Sequence, residues 1–410
     1  MENRLIYLDH AATTPLKKEV LEEMLPYLTT QYGNPSSLYA IGRESKKAIE
    51  LAREKVAKAI NAKVTEIFFT SSGTESDNWA IRGAAYQNRQ KGRHIITTAI
   101  EHHAVLYTFR QLEEEGFDVT YLPVDETGTV DPKLLIDAIK PDTTLISVMY
   151  ANNEIGTLQP IKEIAKIAQE KGICFHTDAV QAVGSIPVDV KDLGVDLLSL
   201  SGHKFYGPKG VGVLYIKKGV KIQNYMNGGA QERSKRAGTE NVAGIVGIGK
   251  AIELSVQKLE ANQKYISSLR DLALNQILLK MTFVKLNGHK TNRLPGNLNL
   301  SFQFVEGESM SIMLDQKNIA VSSGSACASG SFDPSHVLLA IGLSHELAFG
   351  SIRFSFGEQN TEQDVDLMVE TLIETLTELR KLSPLFMALS GGVKRQNNQR
   401  KVKNIIPKSY

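Results

Sequence analysis

Cysteine is scarce: the 410-residue chain holds only Cys174 and Cys327, too few for the disulfide framework of a small secreted domain. Long apolar runs are missing as well, and no stretch approaches the roughly 20 residues a membrane-spanning helix needs. The opening segment MENRLIYLDHAATTP carries Glu2, a single basic residue at Arg4, and an apolar run too short for a signal peptide. Neither sign of charge dominates, with 47 Lys and Arg against 45 Asp and Glu. That balance hides an asymmetry. Lys394, Arg395, Arg400, Lys401, Lys403 and Lys408 stand in a terminal segment without acidic residues, and removing them leaves a body near −4. The tail has no aromatic interleaving of the kind that stacks on bases, so nucleic acid is not an expected partner. Cytoplasmic residence, without membrane attachment, is the expectation.

What is present suits a globular protein of two domains: 42% hydrophobic and 22% charged residues over this length. Residues 43–61 place Ala48, Leu51, Ala52, Val56, Ala59 and Ile60 at helical spacing. Strand-like runs then follow in EIFFTSSG, HIITTAIE, VTYLPV, TLISVMYANN, ICFHTDAV, LLSLSGH and GVGVLYIKK, most of them separated by amphipathic stretches such as 160–172. Strands alternating with helices predict a largely parallel sheet covered on both faces, with chemistry in the loops at one end. After about residue 255 the texture changes to a long polar helix (251–280), the run NLNLSFQFVEGESMSIML, a small-residue loop, SIRFSF and a helix at 361–381. That order predicts a smaller α+β domain. The segment from 389 onward reads as a flexible tail.

Several residues could carry chemistry. Lys204 follows an apolar strand in the run SGHKFYGPKG, a place where an amine could be held for Schiff-base formation. It would have to be deprotonated to attack, against an ordinary pKa of about 10.4. Asp178 sits in the apolar ICFHTDAVQ, where a carboxylate is costly unless paired. A pyridinium nitrogen is one such partner; capping of the next turn is another reading. In TSSGTESDN (70–78) a glycine turn precedes a helix, which makes either an anion site or a plain N-cap. His102 could stack on an aromatic cofactor and shuttle protons. Cys174 lies within an apolar strand and reads as inert packing. Cys327 lies in SSGSACASGSFDPS, a stretch of small polar residues that predicts an exposed, mobile thiol free to swing between a site and an acceptor.

With these residues in place, the chain resembles the cysteine desulfurases of the NifS/IscS type, within the fold-type I, class V aminotransferase-like pyridoxal-phosphate enzymes. The resemblance runs from YLDHAATTP (7–15) to SPL (383–385) through GNPSS (33–37), SGTESDN (72–78), EHHAV (101–105), NNEIG (152–156), TDAVQ (177–181), SGHKFYGPKG (201–210), RAGTEN (236–241), SSGSAC (322–327) and SIRFS (351–355). It implies an α/β large domain (15–255) with a mostly parallel seven-stranded sheet. Residues 1–14 and 256–385 would form a small domain carrying the Cys loop at about 322–335, and 386–410 the basic tail.

The resemblance also implies roles. Lys204 would hold pyridoxal 5′-phosphate as an imine, and Asp178 would pair with the ring nitrogen. Asn153 and Gln181 would lie near the phenolic oxygen, and Gly73, Thr74, Ser201 and His203 at the phosphate. His102 would stack on the ring and move protons. Thr239 would reach the phosphate of the other subunit of a homodimer. Arg353, with Asn34 nearby, would hold the carboxylate of L-cysteine by a two-point grip. Cys327 would receive the sulfur as a persulfide for an iron–sulfur scaffold or tRNA-thiolation enzyme. No resident metal is implied, though Cys327 could transiently ligate a cluster during transfer. Two departures stand out: Ala328 where many relatives have threonine, and a tail unlike the terminus where scaffold proteins dock on the housekeeping form. Competing readings are another enzyme of the same fold, an aminotransferase or selenocysteine lyase, and a non-catalytic sulfur carrier or RNA-associated protein.

Overall fold

The computed structural model describes residues 4–323 and 334–388. Cys327, Ala328 and the segment 389–410 lie outside the described residues, and the expected Cys loop is described only at its two ends.

The chain begins with β1 (Ile6–Tyr7). The expected strand runs then become β2 (Ile67–Thr70), β3 (His94–Thr98), β4 (Asp118–Leu122), β5 (Thr143–Ser147), β6 (Cys174–Asp178), β7 (Leu197–Ser201) and β8 (Gly212–Ile216). They form one seven-stranded sheet in the order β2-β8-β7-β6-β5-β3-β4. In β3, β5 and β7 every residue is buried, as expected of central strands covered on both faces. β3 to β7 run parallel, but β8 is antiparallel to both β7 and β2. The link from Ser201 to Gly212 is shorter than the dozen or so residues that a parallel crossover takes, so the chain turns straight back. One apolar core holds Ile146, Phe175, Leu198 and Val213, and another holds Phe68, Trp79, Leu145 and Leu214. Trp79 comes from the helix Gly73–Asn88; the others are strand residues that alternate between the two cores, Phe68, Leu145 and Leu214 on one side and Ile146, Phe175, Leu198 and Val213 on the other, as two faces of one sheet require.

The helix expected at 43–61 is Ala40–Ala59, and that at 160–172 is Ile161–Lys171, closed by Gly172 at φ 67°. The long helix expected at 251–280 is instead two, Val242–Gln257 and Leu259–Lys280, divided at Lys258. The first buries Ile245, Ile248 and Ile252 in the large core, and the second buries Leu269, Ala273 and Ile277 in a different one. The break at Lys258 divides the helical chain between the two cores.

The second core lies under a sheet of order β12-β13-β10-β9, comprising β9 (Val284–Asn287), β10 (Asn297–Phe302), β12 (Ser322–Ser323) and β13 (Ser351–Ser355). β11 (Ile319–Ala320) pairs in parallel with β1, and Ile6 and Leu8 join the same core. The N-terminal segment thus packs with the C-terminal third of the chain. Asp9 bridges to Ser355, which lays residues 9–14 across the C-terminal ends of the large sheet's strands, where Thr14 and His203 are bonded. No helix among the described residues is long and apolar enough to cross a membrane.

Candidate active site

At the C-terminal ends of β5, β6 and β7 lies a cavity of about 360 Å³. Gly73, Thr74, His102, Asn153, Asp178, Gln181, Ser201, His203, Lys204 and Arg353 all line it, together with Ala11, Ala12, Ser72, Asp77, Met149, Val180 and Ser322. Residues as far apart in the chain as Ala11 and Arg353 thus converge, because the ends of parallel strands meet the edge of the second sheet there. Two of the expected residues do not join them. Asn34 is exposed and accepts a bond from the Ser36 N–H, and Thr239 is exposed outside the cavity. Cys327 lies outside the described residues, but its segment departs from Ser322 on the cavity wall.

The helix Gly73–Asn88 begins at the cavity. Ser72 is its N-cap, accepting from the Glu75 N–H at 3.1 Å, a cap typically worth about 1 kcal/mol. The N-cap reading of this turn is observed; the cap occupies the Ser72 oxygen and leaves the Gly73 end of the helix, with its positive dipole, on the cavity wall, where an anion would be favoured. A Cβ on Gly73 would meet Val180 Cγ2 at 2.6 Å and Ser201 at 3.4 Å, so only glycine leaves the wall intact. Ser201 ends β7, and His203 and Lys204 follow in a 3-10 turn, Gly202–Lys204. Lys204 Nζ donates to the carbonyls of Ala11 (2.6 Å) and Ala12 (2.8 Å). Gln181 Nε2 donates to the same Ala11 carbonyl at 2.9 Å. The LDHAATT segment thereby closes the site on one side.

Asp178 ends β6, 6% exposed, with one carboxylate oxygen accepting from the Val180 N–H at 2.9 Å. Burial pushes its pKa up, opposed by that N–H and by the Lys204 charge. An ionised carboxylate in such a place calls for a cation, since a buried charge left unpaired costs about 3–5 kcal/mol. Arg353 reaches from β13, donating to Asp9 Oδ1 at 2.7 Å and to the Asn153 carbonyl at 3.1 Å. Its Nε is buried and has no hydrogen-bond partner among the described residues.

His102 caps the helix His103–Glu114, with Nδ1 accepting from the Ala104 N–H at 3.1 Å. The neutral ring therefore carries its proton on Nε2. His102 is exposed as a residue, yet desolvation by the surrounding protein, then the charge of Lys204, hold its pKa down to about 4. The ring is therefore neutral near pH 7. His203 is likewise lowered to about 4, first by burial and then by Lys204.

These residues fit pyridoxal 5′-phosphate. A helix N-terminus with Thr74, Ser201 and His203 suits the phosphate, Asp178 a protonated ring nitrogen, and Lys204 the aldehyde carbon. One consequence follows for pH. A buried carboxylate with a raised pKa takes up its proton as pH falls from neutral, and a neutral acid no longer pairs with a pyridinium. The apoprotein is therefore expected to bind the cofactor several-fold more weakly at mildly acid pH than at neutral pH, since each pKa unit by which cofactor binding favours the ionised carboxylate corresponds to about 1.4 kcal/mol. Equilibrium titration by cofactor absorbance measures this.

Sequence reasoning passed over Asp77, Asp9 and Met149. Asp77 was legible: it lies four residues after Gly73 in a helix, hence on the same face. Asp9 was not, because only the fold brings it to Arg353. Cys174 opens β6, half-buried on a different groove, and burial pushes its thiol pKa up, as inert packing requires.

The seven-stranded sheet with its smaller companion and the cavity at the strand ends is the fold-type I arrangement of pyridoxal-phosphate enzymes. Within that class the chain belongs to the class-V aminotransferase family, matched over residues 6–368. It is 58% identical over 384 residues to a protein of Methanosarcina thermophila named cysteine desulfurase IscS, covering 94% of this chain and 95% of that one. Among solved structures, a NifS-like protein superposes with a TM-score of 0.86 at 40% identity, covering 91% of this chain and all of the other. A further one, SspA in complex with cysteine, gives 0.77 at 37% identity, over 87% of this chain and all of that one.

Proposed function

We propose that the chain is a pyridoxal-phosphate-dependent cysteine desulfurase that converts L-cysteine to L-alanine and passes the sulfur on as a persulfide of Cys327. The observation that carries this reading is the single cavity in which Lys204 and Asp178 meet Arg353 and the strand leading to Cys327. The names of the relatives support it.

When bound, the cofactor supplies an aldehyde for amines and a protonated ring that draws electrons from the substrate Cα. Lys204 holds it and then serves as a base near Cα. Asp178 keeps the ring nitrogen protonated. Gly73, Thr74, Ser201 and His203 hold the phosphate, and Asn153 and Gln181 flank the ring oxygen. Arg353 grips the substrate carboxylate. His102 covers the ring and donates from Nε2. The Cys327 thiolate attacks the substrate sulfur; the S–S bond forms as C–S breaks, the electron pair returns to carbon, and protonation there yields alanine.

In this reading the protein acts in the cytoplasm as a homodimer, with Thr239 completing the neighbour's phosphate site and Asn34 closing the substrate site. Residues 15–255 form the cofactor domain, and 1–14 with 256–385 form the small domain. The sulfur acceptor is an iron–sulfur scaffold or a tRNA-thiolation enzyme. An aminotransferase has no use for Cys327, so product identity is the test. Incubation with L-cysteine and a thiol reductant, which releases the persulfide sulfur as sulfide, should yield alanine and sulfide in equal amounts, read by chromatography and a sulfide assay; a keto acid as main product would refute the reading.

A further inference from the structure

Beneath the cavity the large sheet carries a second row of polar groups that the proposed reaction does not use. His176 and Asp178 lie two residues apart on β6, hence on one face of the sheet. Ser147 on β5 stands opposite His176, and Ser199 on β7 opposite Asp178. His176 is fully buried, its Nδ1 2.8 Å from the Ser147 hydroxyl and its Nε2 3.0 Å from that of Ser199. Against this row the helix Gly73–Asn88 sets Asp77, 1% exposed, with Oδ1 3.6 Å from His176 Nε2. Asp77 and Asp178 line the same cavity.

Two carboxylates on one buried floor repel each other, and one of them gives up its charge. Asp178 has the means to stay ionised: the Val180 N–H, the nearby Lys204 charge and, in the proposed reading, the ring nitrogen. Asp77 has much less. Its Oδ1 is buried without a hydrogen-bond partner among the described residues. The basic group beside it is His176, which burial keeps neutral, its pKa lowered to about 3. Glu101, a third buried carboxyl beside them, has its pKa raised to about 8, first by burial, and so is itself protonated at neutral pH. Lys204 and His102 stand on the walls of the same cavity. A bare anionic oxygen is expensive there, and a protonated one costs much less.

We infer that Asp77 is a positioning residue of this site: it carries the proton that Asp178 must not carry, and with Ser199 and His176 it braces Asp178 as the single anion beneath the ring. Ser199 sits between the parts, opposite Asp178 in the sheet and bonded to His176, the ring that faces Asp77. The inference rests on the proposed use of the cavity by pyridoxal phosphate.

The test joins infrared spectroscopy of the holoenzyme with kinetics. At neutral pH the wild type should show the carbonyl stretch of protonated carboxyl groups. Asp77→Asn should remove one component of that band and Glu101→Gln another. Asp77→Ala should lower kcat about tenfold, with little change in KM, through loss of the brace, and should shift the pH titration of the visible cofactor band. Asp77→Asn has the shape of the neutral acid and should recover kcat to within about threefold of wild type. A carboxyl band unchanged in Asp77→Asn, or Asp77→Asn as impaired as Asp77→Ala, would overturn the assignment. Failure of the cofactor reading would look different: wild-type protein supplied with pyridoxal phosphate would have no visible band.

Discussion

Cys327→Ser is expected to keep the visible absorbance of bound cofactor while cysteine-dependent persulfide and sulfide formation fall at least about a thousandfold, the scale of losing a nucleophile. The residues proposed to hold the cofactor are others, all of them around the cavity except Thr239, so the substitution leaves that site intact. A hydroxyl cannot replace the thiol, because the thiolate is the form that attacks sulfur. With an ordinary thiol pKa of about 8.5, only a few per cent is ionised at neutral pH. His102 does not supply a positive charge to raise that fraction, being held neutral with its pKa at about 4. The cations lining the cavity are Lys204 and Arg353, and they are the groups placed to favour a thiolate brought into it. Absorbance spectra and a sulfide assay check this. Desulfuration at the wild-type rate in Cys327→Ser would remove Cys327 from the reaction.

Lys204→Ala is expected to abolish the imine absorbance and to lower turnover by about a thousandfold or more. The amine is the proposed attachment point and the group placed to move the proton at Cα. Asp178, Thr74, Ser201 and His203 remain, so the variant should still bind the cofactor without a covalent link, as the free aldehyde. Loss of the Nζ bonds to Ala11 and Ala12 also loosens the N-terminal segment over the site, so circular dichroism and thermal melting should accompany the spectrum. An imine band that survives in a folded Lys204→Ala protein would assign the attachment to another lysine.

Much of this was legible in the chain. Alternating apolar strands and amphipathic helices gave the large sheet, because burial on both faces writes itself as continuous runs such as LLSLS. The antiparallel return of β8 was missed, since it depends on connection length rather than on pattern. The split at Lys258 was missed because both helices share a helical period and differ only in the core they serve. At the site, Lys204, Asp178 and Gly73 stood out because a lysine, a carboxylate and a glycine turn follow apolar strands. Their company with Arg353 is a product of tertiary packing. The partnership of Arg353 with Asp9, 344 residues away, has no local signal. The Asp77–His176 contact had a partial one, in the two-residue spacing of His176 and Asp178 and the one-turn spacing of Gly73 and Asp77.

The central claim is that sulfur leaves L-cysteine onto Cys327 within a site built on Lys204. Its most direct test is a single turnover of the wild-type holoenzyme with L-cysteine and no reductant, followed by peptide mass mapping and alanine analysis. One extra sulfur atom on the peptide containing Cys327, matched by an equal amount of alanine, is the predicted result. Alanine formed with Cys327 unmodified, or the extra sulfur found on Cys174, would contradict it.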